Sequence, residues 1–203
     1  MENFDEIAKG FDTDRRINRA KIIADKIKTH IVEKNKSAIE YGCGTGLVGF
    51  QLICDFKSLL FMDSSVEMIN QVEQKLQRIN NPVASSLCHD IIQNIPKGLR
   101  TDYIFSSLVL HHIKDTENIL RCFYNVLNNG GHLLIVDVDE EDGSFHANYS
   151  DFDGHNGFNH SAIIDLALKV GFRTTTIETF YHDSKVFEEK QNPYSLFILD
   201  AVK

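Results

Sequence analysis

Ala38-Ile39-Glu40-Tyr41-Gly42-Cys43-Gly44-Thr45-Gly46-Leu47-Val48-Gly49 joins an apolar run to glycines on alternate positions. Ala38 to Tyr41 reads as the end of a short buried strand, and Leu47 to Cys54 as the helix after it. A strand, a glycine turn and a helix bring backbone N–H groups and a helix N-terminus against a ligand. Glycine admits positive φ there and places no Cβ between backbone and ligand.

Working outward, Ile17, Ala20, Ile23, Ala24, Ile27 and Ile31 recur at spacings of three and four, which predicts an amphipathic helix from about Asp14 to Glu33. Its other face carries Arg15 and Arg16, either solvated or reaching an anionic ligand. Phe4, Ile7 and Phe11 suggest a short helix or a flap before it. Ser58 to Met62, Val83 to Cys88, Asp102 to Leu108 and His132 to Val138 read as further strands. Helices are expected over Val66 to Ile79, with Ser64 and Glu67 at capping-box spacing, and from Asp115 or Thr116 to Leu127. Asn159 to Val170 is a third such helix, stopped by Gly171. Phe172 to Tyr181 and Tyr194 to Val202 follow as strands, with Pro193 and Glu188 to Lys190 between them. Strands alternating with helices give an α/β fold with a parallel sheet. The last two strands have no helix between them and should form an antiparallel pair, one strand running against the rest. Residues 139–160 are long for a connection and read as a lid loop. Residues 1–203 are expected to form one domain.

The 203 residues are 42% hydrophobic and 25% charged, with a net charge of -8. That balance argues against a phosphate-backbone binder, so no nucleic-acid partner is expected. Cys43, Cys54, Cys88 and Cys122 form no CxxC pair and are expected to be small buried hydrophobes in a reducing compartment. No metal site is expected, because ligand spacing is absent. Met1 to Asp14 does not read as a signal peptide, and no run approaches membrane-spanning length. A cytoplasmic chain, monomer or homodimer, is the expectation.

In an open α/β sheet, ligands sit beyond the carboxyl ends of the strands. The ends here carry Gly42, Gly44 and Gly46, then Asp63, then Asp90, then Ser106 and Ser107 with His111 and His112 just beyond. Asp63 suits both hydroxyls of a ribose, or a helix N-terminus. Asp90 suits the amino group of a base, with Ile91 on its flat face, or a solvated loop. Gly44 to Gly49 also fits GxGxxG, so an NAD-dependent oxidoreductase stays open. Glu40 argues otherwise: an acid inside the strand end suits a positive ligand group and sits poorly beside a pyrophosphate.

Glu40 to Gly46 resembles the first motif of the class I S-adenosylmethionine-dependent methyltransferases. Met62-Asp63-Ser64-Ser65 with Met68, His89-Asp90-Ile91, Phe105 to His112, and Asn129 to Ile135 resemble the family's later motifs in order and spacing. The resemblance implies a doubly wound, mostly parallel, seven-stranded Rossmann-like sheet with the last strand antiparallel. It implies S-adenosylmethionine as cofactor, held by Glu40, Gly42 and Gly44 at the methionine part. Asp63 would hold the ribose, lined by Met68 or Ser64, Asp90 and Ile91 the adenine, and the Ser106 carbonyl the amino group. The Asn/Asp-Pro-Pro-aromatic tetrad of amino-methylating nucleic-acid enzymes is absent at Ser106 to Val109. A small-molecule acceptor is therefore expected, with His111 and His112 as candidate catalytic residues. A non-catalytic S-adenosylmethionine binder is the further alternative. The acids from Asp137 to Asp142 read as a solvated loop, with the acid cluster of the family's catechol-type metal-dependent members as the alternative, and His146, His155 and His160 as mostly solvent-facing.

Overall fold

β1 (Ser37–Tyr41) stops where the glycines begin. The computed structural model describes residues 4–79, 81–147, 152–187 and 190–203. α1 (Phe4–Ile7), a 3-10 turn and α2 (Asp14–Lys28) precede β1. α3 (Gly49–Leu52), β2 (Ser58–Asp63), α4 (Val66–Ile79), β3 (Ala84–Cys88) and β4 (Thr101–Ser107) follow. Then come α5 (Thr116–Val126), β5 (Leu127–Val138), α6 (His160–Val170), β6 (Thr174–Phe187) and β7 (Lys190–Val202). The sheet order is β3-β2-β1-β4-β5-β7-β6, parallel except that β7 runs antiparallel to both neighbours. This is the expected seven-stranded arrangement.

One face of the sheet is covered by α2, α3 and α4 through Ala20, Ile23, Ala24, Ile27, Leu52, Ile69 and Val72 against Phe61 and Phe105. The other is covered by α5 and α6 through Ile119, Phe123, Val126, Ile163 and Ala167 against Ile104, Leu133 and Phe197. Apolar burial on both faces explains why β5 is continuously hydrophobic from Leu133 to Val136. Strand order reverses between β1 and β4, and a ligand crevice opens at such a switch point.

Several boundaries differ from expectation. The helix after the glycines is one turn, not Leu47 to Cys54. α4 is capped by Ser65, whose Oγ accepts the Met68 N–H at 3.1 Å, rather than by Ser64 with Glu67. β5 begins at Leu127 and runs through Gly130, with its register shift placed opposite Thr101/Tyr103. Pro193 lies inside β7, opposite Ser184. It is tolerated because β7 meets β5 only from Leu196 onward, leaving that stretch an edge with no donor required. Cys43 and Cys122 are buried as expected, but Cys54 and Cys88 are exposed. Part of the expected lid, 148–151, lies outside the described residues.

Candidate active site

Gly42, Gly44 and Gly46 all take positive φ, at 67°, 53° and 80°. A Cβ on Gly42 would fall 2.7 Å from Val109 Cγ1, so the turn is also too tight for any other residue. The Gly44 N–H donates to Asp63 Oδ2 at 2.7 Å, and the Ser65 N–H to Asp63 Oδ1 at 2.9 Å. This ties the glycine turn to the end of β2. Burial raises the Asp63 carboxyl above its ordinary range, against the pull of those N–H groups. Glu40 is 2% exposed, and its Oε2 accepts the Gly49 N–H at 3.2 Å. Burial pushes its carboxyl up to about 8. Asp90 Oδ1 accepts the Tyr41 hydroxyl at 3.0 Å and the Ile92 N–H at 2.9 Å.

These groups open on a cavity of about 440 Å³, within the ordinary range for small-molecule sites. Glu40, Gly42, Gly44, Asp63, Ser64, Met68, Asp90 and His112 all line it. Its opposite wall is Phe4, Phe11, Arg16 and Arg19 from α1, α2 and the segment between them. That segment is pinned to the core of the site. Asp5 Oδ1 accepts the Ser65 hydroxyl, Asp12 Oδ1 accepts the Thr45 hydroxyl, and Lys75 Nζ pairs with Asp12 Oδ2 at 2.8 Å. Arg16 lies over the Phe11 ring, 4.1 Å from its centroid, and the Arg19 guanidinium donates to the Tyr194 hydroxyl at 3.3 Å. Acids thus line the strand ends and guanidiniums the helix side. Leu108, also in the wall, holds a positive φ of 57°, a strained conformation of the kind that collects at functional sites.

Three expected site residues lie elsewhere. Ile91 packs into the α5 side of the core, and Ile92 takes the cavity wall instead. Ser106 is buried with its hydroxyl donating to the Tyr41 carbonyl at 2.9 Å, and Ser107 lines the cavity. Ser106 and Ser107 face opposite sides because side chains alternate along β4, which leaves the expected role of the Ser106 backbone carbonyl untouched, while Ile91 lies in the turn after β3. His111 is 1% exposed behind the wall, its Nδ1 2.5 Å from Asp137 Oδ1.

Asp137 corrects the reading of 137–142 as a solvated run. It is fully buried in β5, and it also accepts the His111 backbone N–H at 3.2 Å. Burial would raise its carboxyl, but the His111 ring and the Val138 and His111 N–H groups outweigh that and lower it. Its position in the apolar end of β5, before the polar loop, was the available signal. His112 is half-buried and edge-on to Phe4, and burial with the adjacent His111 holds its pKa down at about 4. His146 is buried, not solvent-facing. His155 Nε2 contacts the Thr116 hydroxyl at 3.1 Å, and His160 Nε2 contacts Asp139 Oδ1 at 2.6 Å. Of the two arginines weighed as ligand contacts, Arg16 lines the cavity while Arg15 pairs with Asp183 at 2.8 Å.

Among the described residues no helix is long and apolar enough to cross a membrane. An uncharacterized methyltransferase of Schizosaccharomyces pombe is 22% identical over 77% of this chain and 60% of its own length. A malonyl-[acyl-carrier protein] O-methyltransferase of Ilyobacter polytropus is 27% identical over 64% of this chain and 48% of its own. The chain thus spans about half to three-fifths of the length of these curated relatives. A Haemonchus contortus phosphoethanolamine N-methyltransferase, solved with S-adenosylmethionine, superposes with a TM-score of 0.75 at 16% identity, over all of this chain and 60% of that one. The family model described as a methyltransferase domain matches residues 15–177, and the chain belongs to that family, the class I S-adenosylmethionine-dependent methyltransferases.

Proposed function

We propose that the chain transfers the methyl group of S-adenosylmethionine to a small acceptor that carries an anionic group. The observation that carries this is the pairing of three strand-end acids with two helix-side arginines around one cavity. The glycine turn at the β1 end receives the methionine part, with Glu40 beneath its positive charge. Asp63 keeps acceptor capacity for the ribose hydroxyls, since its two oxygens offer more lone pairs than the nearby backbone N–H groups of Gly44, Ser64 and Ser65 take up. Asp90 takes the adenine amino group, with Ile92 rather than Ile91 on the base. Arg16, seated on Phe11, whose ring edge lies 3.7 Å from where a Gly44 Cβ would be, faces the methionine carboxylate. Arg19 lies farther along α2 and faces the acceptor. An anionic acceptor is consistent with what the two named relatives act on by their names, a malonyl group and phosphoethanolamine.

In the reaction the acceptor's lone pair forms a bond to the methyl carbon while the carbon–sulfur bond breaks. The sulfonium takes up that electron pair and leaves as a neutral thioether. Proximity and alignment, with water kept out by the Phe4 to Asp12 flap, supply most of the rate. His112 stays neutral at physiological pH and presents a ring nitrogen to the acceptor. The whole of 1–203 serves as one catalytic unit.

Thermal shift tests the reading. S-adenosylhomocysteine should stabilise the protein and NADH should not. The reverse result would make it a nicotinamide-dependent oxidoreductase. Binding of S-adenosylhomocysteine without methyl transfer to any metabolite in an extract would make it a non-catalytic binder.

A further inference from the structure

We propose that His111, His112 and His146 form a site for a divalent transition-metal ion of the zinc class, in the cavity wall, anchored by Asp137. Each imidazole offers one nitrogen, and the three lie within 4.8 Å of one another. Tetrahedral zinc with bonds of ~2.0–2.1 Å spaces its ligand nitrogens about 3.3 Å apart, so small ring rotations close the site. The ring centroids are 4.2 Å apart for His111 and His112, and 4.9 Å for His111 and His146.

His111 is the centre of the case. Its Nδ1–H donates to Asp137 Oδ1, which leaves the Nε2 lone pair pointing away from the carboxylate. That Nε2 is buried and, among the described residues, has no hydrogen-bond partner. A buried polar atom with no partner is costly, and a cation supplies the partner. A carboxylate behind a histidine is the recurrent outer support of metal-binding imidazoles, because it fixes the tautomer and raises basicity. Asp137 is also a fully buried negative charge that offsets the ion.

The surroundings favour a dry site. Phe152 stacks on His146 at 3.6 Å between centroids, with ring planes 8° apart, and stands edge-on to His112. Phe145 stands edge-on to His111. His146 is brought in by the 3-10 turn Ser144–His146, whose Phe145 N–H donates to Glu141 Oε2 at 2.9 Å. Three imidazoles select zinc, cobalt, nickel or copper over magnesium and calcium, which require oxygen ligands.

Of the three, only His112 lines the cavity, so the open coordination position of a three-ligand site faces the acceptor. Resting on the methyl-transfer reading, that position would take an acceptor hydroxyl or thiol and lower its pKa. The proton leaves to solvent, and the resulting anion is the nucleophile.

The test uses the full chain, stripped with a chelator and titrated with zinc chloride by calorimetry, and with cobalt chloride by visible absorption. The expected result is one ion per chain, cobalt bands of a four- or five-coordinate site, and no response to magnesium chloride. His146→Gln and His111→Gln should each weaken zinc binding at least tenfold, and Asp137→Asn ten- to hundredfold. His155→Gln and His160→Gln should leave it unchanged. Absence of zinc and cobalt binding by the unaltered chain overturns the proposal. So does full binding by a folded His146→Gln variant, which keeps the test decisive if Asp137→Asn does not fold. Binding of S-adenosylhomocysteine, measured on the same metal-free sample, reports on the cofactor reading separately.

Discussion

Glu40 accepts the Gly49 backbone N–H at 3.2 Å, bridging from inside β1 to the first residue of α3 across the glycine turn. Gly49 has no room for a side chain: an added Cβ would lie 2.5 Å from Phe61 Cε1 and closer still to Glu40 Oε2. Phe61 is fully buried and cannot yield. Gly49→Ala should therefore destabilise the protein by about 1–3 kcal/mol, as overpacked cores do, and weaken S-adenosylhomocysteine binding by displacing Glu40. Urea unfolding measures the first effect and calorimetry the second. An unchanged midpoint would mean the turn is looser than its contacts imply.

The same carboxyl links binding to pH. Its pKa rises from an ordinary 4.5 to about 8 through burial, with the Gly49 N–H acting against the rise. A group whose folded pKa is raised stabilises the ligand-free protein fully below pH 4.5, and that contribution is lost as pH climbs through 8. A positive ligand beside Glu40 favours its ionised form, so binding should release protons at pH 7. S-adenosylmethionine affinity should then rise from pH 6 to 8. Calorimetry in buffers of different ionisation enthalpy reads the proton count directly. Glu40→Gln should abolish the release, and equal release in that variant would place the titrating group elsewhere.

Asp63 has both oxygens committed to the turn and still has acceptor capacity toward the cavity. Asp63→Ala should weaken S-adenosylmethionine binding by well over tenfold while the fold persists. Asp63→Asn, which keeps one acceptor oxygen, should fall between. Unchanged affinity in the alanine variant would show that the ribose does not meet this carboxylate.

What could be seen in advance follows from where each residue's placement is decided. Glu40, Asp63 and Asp90 sit at the ends of parallel strands, and such ends converge on one crevice whatever the details. Their meeting at the cavity was legible from strand pattern and order alone. Ile91 is one position from the wall residue Ile92 because the chain has already left β3 there, and the alternation that predicts facing ends with the strand. His146 joins His111 and His112 through tertiary contacts of a loop without periodicity, so no spacing in the chain announced the cluster. Asp137 was hidden by its acidic neighbours: composition averages over 137–142, whereas burial changes abruptly where β5 ends. Glu40 is legible as an acid in a strand, but its bond to Gly49 depends on how sharply the chain turns, which the three left-handed glycines settle.

Lys75 ties the flap to the glycine turn. Its Nζ pairs with Asp12 Oδ2 at 2.8 Å and donates to the Thr45 carbonyl at 2.7 Å, and the Thr45 hydroxyl donates to Asp12 in turn. The side chains of Lys75 and Asp12 are 27% and 33% exposed, so the ion pair itself contributes little, ~0.2–1 kcal/mol. Its position matters more than its strength, because residues 4–12 cover the cavity through Phe4 and Phe11. Lys75→Met should leave global stability within about 1 kcal/mol of the unaltered chain. It should also speed amide hydrogen exchange across residues 4–12 and weaken S-adenosylhomocysteine several-fold. Exchange that stays as slow in the variant would show that the Asp5–Ser65 and Asp12–Thr45 hydrogen bonds hold the flap down without Lys75.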